Sequence, residues 1–323
     1  MDPAFAILYA LAFPGLLFLV GYALFLQYVD RKVVARMQSR VGPPLLQPFA
    51  DLVKLLSKED ITPEGVDVRV ARAIPLLAFA SVATAFLYVP VLGPTPFGFQ
   101  GDVVVVLYLL TLPTVLLFLA GWTSRNVFAA MGGVRAVTQL FIYEVPFFLA
   151  LLGPALMAGT WSINDILAWQ AGHVWAAVLQ PIGFAVALVA LQAKLERAPF
   201  DIPEAETEIV AGPWTELTGR KLAVMRLSID MSLVAGAGLI AALFLGGPSL
   251  PGVSLSGWAG TAVGLIAFLG KTLGILLLLA GIRSATGRIR IDQLNRFGWK
   301  WMAGAAFVQT LLVLLFGPRG VTG

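Results

Sequence analysis

Six carboxylates, Glu196, Asp201, Glu204, Glu206, Glu208 and Glu216, crowd into residues 194–219 (KLERAPFDIPEAETEIVAGPWTELTG), between two long apolar stretches. Charge is costly beside a hydrocarbon layer, so such a run either lines a wet cavity or meets a partner. The plain alternative is a solvated loop leading into a capped helix, with Asp201 as N-cap, Glu204 three residues on and Pro203 in the first turn. That cap leaves Glu206, Glu208 and Glu216 unexplained. If a helix starts there, Glu204 and Glu208 share a face four residues apart and repel. Carboxylates held close titrate as a coupled set that retains a proton, which suits a group that takes up and releases protons. A solvated face would intersperse cations, and between Asp201 and Glu216 there are none; the nearest are Lys194, Arg197, Arg220 and Lys221.

Three more ionisable sites fall inside apolar sequence: Glu144 in AVTQLFIYEVPFF, Lys271 in LIAFLGKTLGILLL, and Asp230 with Arg226 one turn before it. An intramembrane charge is functional by default. For Arg226 and Asp230 a structural pair on one helix face weighs equally. The candidate proton or ion path is therefore Glu144, Asp201, Glu204, Glu206, Glu208, Glu216, Asp230 and Lys271.

The elements that must position these groups are membrane helices. Of 323 residues, 59% are hydrophobic and only 12% charged, a membrane composition. Cysteine is absent and His173 is the one histidine. The chain therefore offers no disulfide, thiolate zinc site, iron–sulfur ligation or bis-histidine haem, and His173 reads as an ordinary loop residue. No Gly-rich phosphate loop sits in a strand–helix setting; Gly132–Gly133 and Gly246–Gly247 read as loop punctuation, leaving nucleotide and nucleic-acid binding unsupported.

At about twenty apolar residues per crossing, eight spans are expected near residues 5–27, 73–92, 103–122, 137–157, 174–193, 222–245, 259–282 and 299–316. The first reads as a retained span rather than a signal peptide. Pro14, Pro75, Pro113, Pro146 and Pro181 should kink several helices. The whole chain, 1–323, reads as a single all-α transmembrane domain. Lys and Arg gather in connections at about 28–72, 123–136, 194–221 and 283–298, which the positive-inside rule makes cytoplasmic, with both termini outside a prokaryotic-type plasma membrane. Within the first connection, PPLLQPFADLVKLLSK reads as a short amphipathic helix at the headgroups or against a partner subunit.

Four stretches carry a family resemblance: DRKVVARMQSRVGP, RAVTQLFIYE, ERAPFDIPEAETEIVAG and IRIDQLNRFGWK. From about Asp30 to Lys300 the chain resembles the membrane subunit that joins the hydrophilic and membrane arms in the respiratory complex I superfamily. Its two branches are the H subunit of NADH–quinone oxidoreductase and the counterpart in group 4 membrane-bound [NiFe] hydrogenases. The likeness leans to the hydrogenase side. Gly42-Pro43-Pro44 runs directly into LLQPFADLVKLL without the longer respiratory insert, PWTELTG points the same way, and a glutamate common in the quinone-reducing branch aligns with Ile229, beside Asp230.

The resemblance implies a subunit without redox centres of its own, inactive alone, that couples electron transfer to proton or sodium movement. Iron–sulfur clusters and nickel–iron or flavin centres would reside in hydrophilic subunits on the cytoplasmic side, with antiporter-like membrane subunits and lipid as the other neighbours. A quinone is the ligand it leaves room for, in a chamber that Arg36, Phe49 and Asp51 would border. A reading from another class, a stand-alone secondary transporter, would require broken helices in repeat-related halves, and no such repeat stands out.

Overall fold

The computed structural model describes residues 3–250 and 257–316; the side chains of residues 3–5 and of Glu206 lie outside that description. All regular structure among the described residues is helical. Helices α1 (Pro3–Leu11) and α2 (Leu16–Met37) are one apolar stretch interrupted around Pro14. α2 runs on to Met37, well past the expected exit at residue 27. Its basic segment consists of helix formers whose long stems reach water without breaking the helix.

The amphipathic helix of the first connection is α3 (Gln47–Ser57), with Pro48 in its first turn. It lies along α2 and α11. Then come α4 (Val68–Phe86), α5 (Asp102–Thr123) and the 32-residue α6 (Val127–Ala158). Gly132 and Gly133 lie inside α6, so they are packing residues and not loop punctuation. A side chain on Gly132 would strike Gly212 and Pro213, and one on Gly133 would press on Phe118 of α5.

Among the described residues seven helical stretches, Ala6–Met37 to Ile291–Phe316, are long and apolar enough to cross a membrane. The fifth expected span, 174–193, is instead broken into α8 (Ala176–Leu179) and α9 (Pro181–Lys194), after the short α7 (Ile163–Ala171). Pro181 at the first position of α9 has no N–H to continue α8. The buried Gln180 side chain turns to Met157 and donates to its Sδ. Fourteen residues rise about 21 Å, short of the roughly 30 Å hydrocarbon layer.

After the one-turn α10 (Glu206–Ile209) comes α11 (Gly219–Leu245), the axis of the bundle, with 89% of its most apolar stretch buried. Ala235, Gly236, Ala237 and Gly238 let α4, α9 and α12 approach it closely. α12 (Gly257–Ala285) leads to α13 (Ile291–Arg296). A π-helical segment, Phe297–Met302, then joins α13 to α14 (Ala303–Phe316), its Gly298 seated against Ile142 of α6. A π segment in a helix often marks a functional place, and this one packs on the residue two positions before Glu144.

Candidate functional site

The acidic run does not form the helix that its sequence suggests. Residues 195–205 fold back over the end of the bundle as turns, so Glu204 precedes α10 and shares no helix face with Glu208. The Asp201 side chain, expected as an N-cap, is instead engaged by Arg288, whose Nε lies 3.1 Å from Oδ1 and whose Nη2 donates to the Asp201 carbonyl at 2.8 Å. Tertiary structure thus supplies the cations missing from the run itself. Arg135 of α6 donates to Glu208 at 2.6 Å, and this bond and charge hold the half-exposed Glu208 carboxyl below its ordinary range.

Beneath this fold-back lies a cavity of about 330 Å³ walled by carboxylates Asp30, Glu196, Asp201, Glu204 and Asp230 and by guanidiniums Arg31, Arg197, Arg226 and Arg283. They are drawn from distant parts of the chain: Asp30 and Arg31 from α2, Arg226 and Asp230 from α11, Arg283 from the last turn of α12, and the rest from the fold-back. Buried Asp30 is the hub, accepting from Arg283 Nη1 at 2.7 Å with Arg197 Nη1 at 3.2 Å. Arg197 also reaches Asp230 Oδ1 at 3.5 Å, and Gln27 donates to Asp230 Oδ2 at 2.7 Å. Arg226, a candidate partner of Asp230 on the same helix, lies instead over the Trp214 ring at 5.8 Å.

The opening of a second cavity, about 260 Å³, runs under α3, and it shares Gln27, Arg31, Arg226 and Asp230 with the acidic one. Its α3 wall carries Asp51, Leu52 and Leu55. Desolvation pushes the Asp51 carboxyl up, but Arg31 at 2.8 Å and Gln47 at 2.8 Å outweigh it and hold the group below its usual value. Of the three residues expected at a quinone chamber, Asp51 lines this cavity, whereas Phe49 is 57% exposed on the outer face of α3 and Arg36 is exposed at the end of α2.

Glu144 meets a cation that the sequence keeps fifty residues away. Lys194, the last residue of α9, donates to Glu144 Oε2 at 2.8 Å, with its ammonium over the Tyr143 and Phe147 rings at 5.3 and 5.6 Å. Gln139, one turn earlier on α6, fixes the start of the fold-back by donating to the Ala193 carbonyl at 2.7 Å and the Phe200 carbonyl at 2.9 Å.

Two of the residues proposed from sequence lie elsewhere. Glu216 accepts from Asn126 Nδ2 at 2.6 Å and ties the start of α6 to the segment before α11. Lys271 sits at the opposite end of the bundle, donating to the carbonyls of Leu245, Gly247 and Ser249 at 2.6, 2.8 and 2.6 Å, over the Trp175 ring at 4.9 Å. It satisfies the orphan carbonyls beyond α11, where helix dipole and geometry both favour a cation. His173 is a loop residue as expected, stacked on Trp169 at 4.4 Å. Among the described residues no group of three metal-ligating side chains occurs.

The residue that sequence reasoning left out of the path is Glu196. It is 9% exposed, stands at φ +52°, and its Oε2 is buried without a hydrogen-bond partner in the wall of the acidic cavity. A carboxylate directly past an apolar helix, with no oppositely charged residue three or four positions away, was the available signal.

Comparison with known proteins agrees with this architecture. Residues 10–314 match the family model described as NADH dehydrogenase. The H subunit of NADH-quinone oxidoreductase from Carboxydothermus hydrogenoformans is 37% identical over 300 residues, covering 90% of this chain and 84% of the relative. The subunit of the same name from Bacillus thuringiensis (strain Al Hakam) is 36% identical over 321 residues, 96% of this chain and 94% of that one. A chain in the structure of the membrane-bound sulfane sulfur reductase, an archaeal respiratory membrane complex, superposes with a TM-score of 0.80 at 27% identity, covering 92% of this chain and 96% of that one. The protein is thus an integral membrane protein of the NADH dehydrogenase family, a complex I-type membrane subunit related to the H subunit of NADH-quinone oxidoreductase.

Proposed function

We propose that this chain is the H-type membrane component of a NADH–quinone oxidoreductase, a single membrane domain that holds no redox centre and couples quinone chemistry at its basic end to ion movement. The reading rests above all on one observation: the cavity under α3 and the carboxylate-lined cavity adjoin and share Gln27, Arg31, Arg226 and Asp230. A quinone headgroup under α3 would change charge as it is reduced and protonated. That change acts on the shared Arg31, Arg226 and Asp230, and Arg197 links Asp230 to Asp30. Glu144 in α6, paired with Lys194 at the end of α9, is the intramembrane carboxylate to which this path would lead. The names of the curated relatives favour this reading over the hydrogenase-type one expected from the sequence. In this reading the basic connections face the cytoplasm and hydrophilic partner subunits bearing flavin and iron–sulfur centres.

A hydrogenase-type or other non-quinone complex is the second reading, favoured by the short connection of α2 to α3 and by the likeness to the archaeal sulfane sulfur reductase chain. Isolation of the intact complex in mild detergent, followed by mass spectrometry of its subunits, separates the two. A flavin-containing NADH module is expected. A nickel-bearing large subunit in its place would overturn the quinone assignment.

Coupling has its own test in the complex reconstituted into vesicles. Glu144→Gln is expected to lower the number of protons moved per electron transferred to about a tenth or less, the scale of losing a positioned proton carrier. A wild-type ratio in this variant would remove Glu144 from the path.

A further inference from the structure

Five carboxylates face four guanidiniums in the acidic cavity, and all but one of the carboxylates have other company. Asp30 and Asp230 are bridged by Arg197, Asp30 also by Arg283, and Asp201 by Arg288 from outside the cavity wall. Glu204 is engaged as well. Glu196 Oε2 and Asp201 Oδ1 are both buried without a hydrogen-bond partner, but Asp201 Oδ1 has Arg288 Nε at 3.1 Å as its counter-ion, and no ion pair reaches Glu196 among the described residues. An ionised carboxylate so placed would be strongly disfavoured, whereas a carboxylic acid there needs no counter-ion.

Its position in the chain is equally specific. Glu196 lines the cavity and lies two residues along the chain from Lys194, the buried partner of Glu144. Tyr143, 1% exposed, lies within electrostatic reach of both Glu144 and Glu196. We propose that Glu196 holds a proton at rest and is the carrier that passes it between the acidic cavity and the Lys194–Glu144 pair. The inference rests on the coupling reading above and adds to it the residue at which the proton waits.

The chemistry is a reversible transfer. The Glu196 carboxyl O–H bond breaks as a new bond forms on an acceptor oxygen, directly or through water, and Glu196 is left as a carboxylate. That anion is short-lived because Glu204 lies close enough to oppose it, and burial and Glu204 together raise its carboxyl from the ordinary 4.5 to about 8. The groups that set its charge field are Asp201, Glu204 and Arg197 in the fold-back, and Asp30 and Arg31 on α2. Arg226 and Asp230 on α11, Arg283 on α12, and Tyr143 on α6 complete that field. Arg31 or Arg226, which line both cavities, drawn toward reduced quinone and away from the acidic cavity would leave its carboxylates less compensated and hold the Glu196 proton still more tightly. Its return would release the proton.

The test uses Glu196→Gln, which keeps the shape of the neutral acid, in the assembled complex in vesicles. Protons moved per electron are expected to fall about tenfold, with loss of the pH dependence of coupling centred near pH 8. A wild-type ratio and profile would overturn the proposal. A second readout does not require turnover. A carboxyl whose folded value exceeds its unfolded one destabilises the fold progressively as pH rises from about 4.5 to about 8, and the variant should lose that slope in thermal midpoint. Infrared spectroscopy of the wild-type complex at neutral pH should show a protonated carboxylic acid that disappears near pH 8; its absence would also overturn the assignment, even if the variant failed to assemble. If Glu144→Gln uncouples and Glu196→Gln does not, only this inference fails. If neither does, the coupling reading fails with it.

Discussion

Asp30→Asn is expected to destabilise the assembled protein by about 3–5 kcal/mol, the range for removing one partner of a buried ion network. The carboxylate is 3% exposed and is reached by two guanidiniums, Arg283 Nη1 at 2.7 Å and Arg197 Nη1 at 3.2 Å. Asparagine offers one carbonyl oxygen and no charge, so two arginines would face a neutral group. Arg197 keeps Asp230, at 3.5 Å, but Arg283 loses the one carboxylate that ties α12 to α2 among the described residues. Asp230→Asn should cost less, since Gln27 would retain an acceptor and Arg197 would retain Asp30. Thermal midpoints of the two variants in detergent, read side by side, check the order. Equal losses would show that Asp30 is not the hub.

Lys194→Met carries the second large effect. Lys194 is nearly fully buried, and its ammonium is satisfied by Glu144 and the faces of Tyr143 and Phe147. Methionine fills much of the same space without charge, leaving Glu144 with a 23% exposed side chain and no counter-ion. A loss of about 3 kcal/mol is expected, tempered because the Glu144 side chain is partly exposed. The decisive measurement is the double variant. Glu144→Gln in the Lys194→Met background should recover most of the loss, because the orphaned charge is gone, whereas independent sites would add.

Much of the fold is written in local pattern, and the departures have physical causes. Apolar run lengths located the long helices, and α3 was visible from its one-sided Leu and Val spacing. Hydropathy could not see that 174–193 breaks, because Gln180 and Pro181 are two residues in an apolar window, and the Met157 sulfur that receives the buried Gln180 amide is 23 residues away. Nor could it distinguish a loop glycine from one that admits another backbone, as at Gly132.

The site was legible in part. The carboxylate run, Glu144 and Asp230 were conspicuous as charges in apolar sequence. Their partners were not, because Arg288 lies 87 residues from Asp201, Lys194 lies 50 from Glu144, and Arg283 lies 253 from Asp30. Local rules placed a capping box where a distant arginine wins, and they read Lys271 as an ion carrier where three carbonyls claim it. A count of charges finds a polar site; only the closed chain says which charges are already spoken for.

A lysine secures the central helix α11 at each end, its own Lys221 at one and Lys271 of α12 at the other. Lys221 grips Asp60 at 3.2 Å, the Ile61 carbonyl at 3.0 Å and Thr62 at 2.8 Å at one end, and Lys271 clasps three carbonyls just past Leu245 at the other. A mast guyed fore and aft resists tilting and sliding alike. The truncated α9 and the loop after it are moored differently, by side-chain bonds along their length: Lys194 to Glu144, Gln139 to the Ala193 and Phe200 carbonyls, and Arg288 to Asp201.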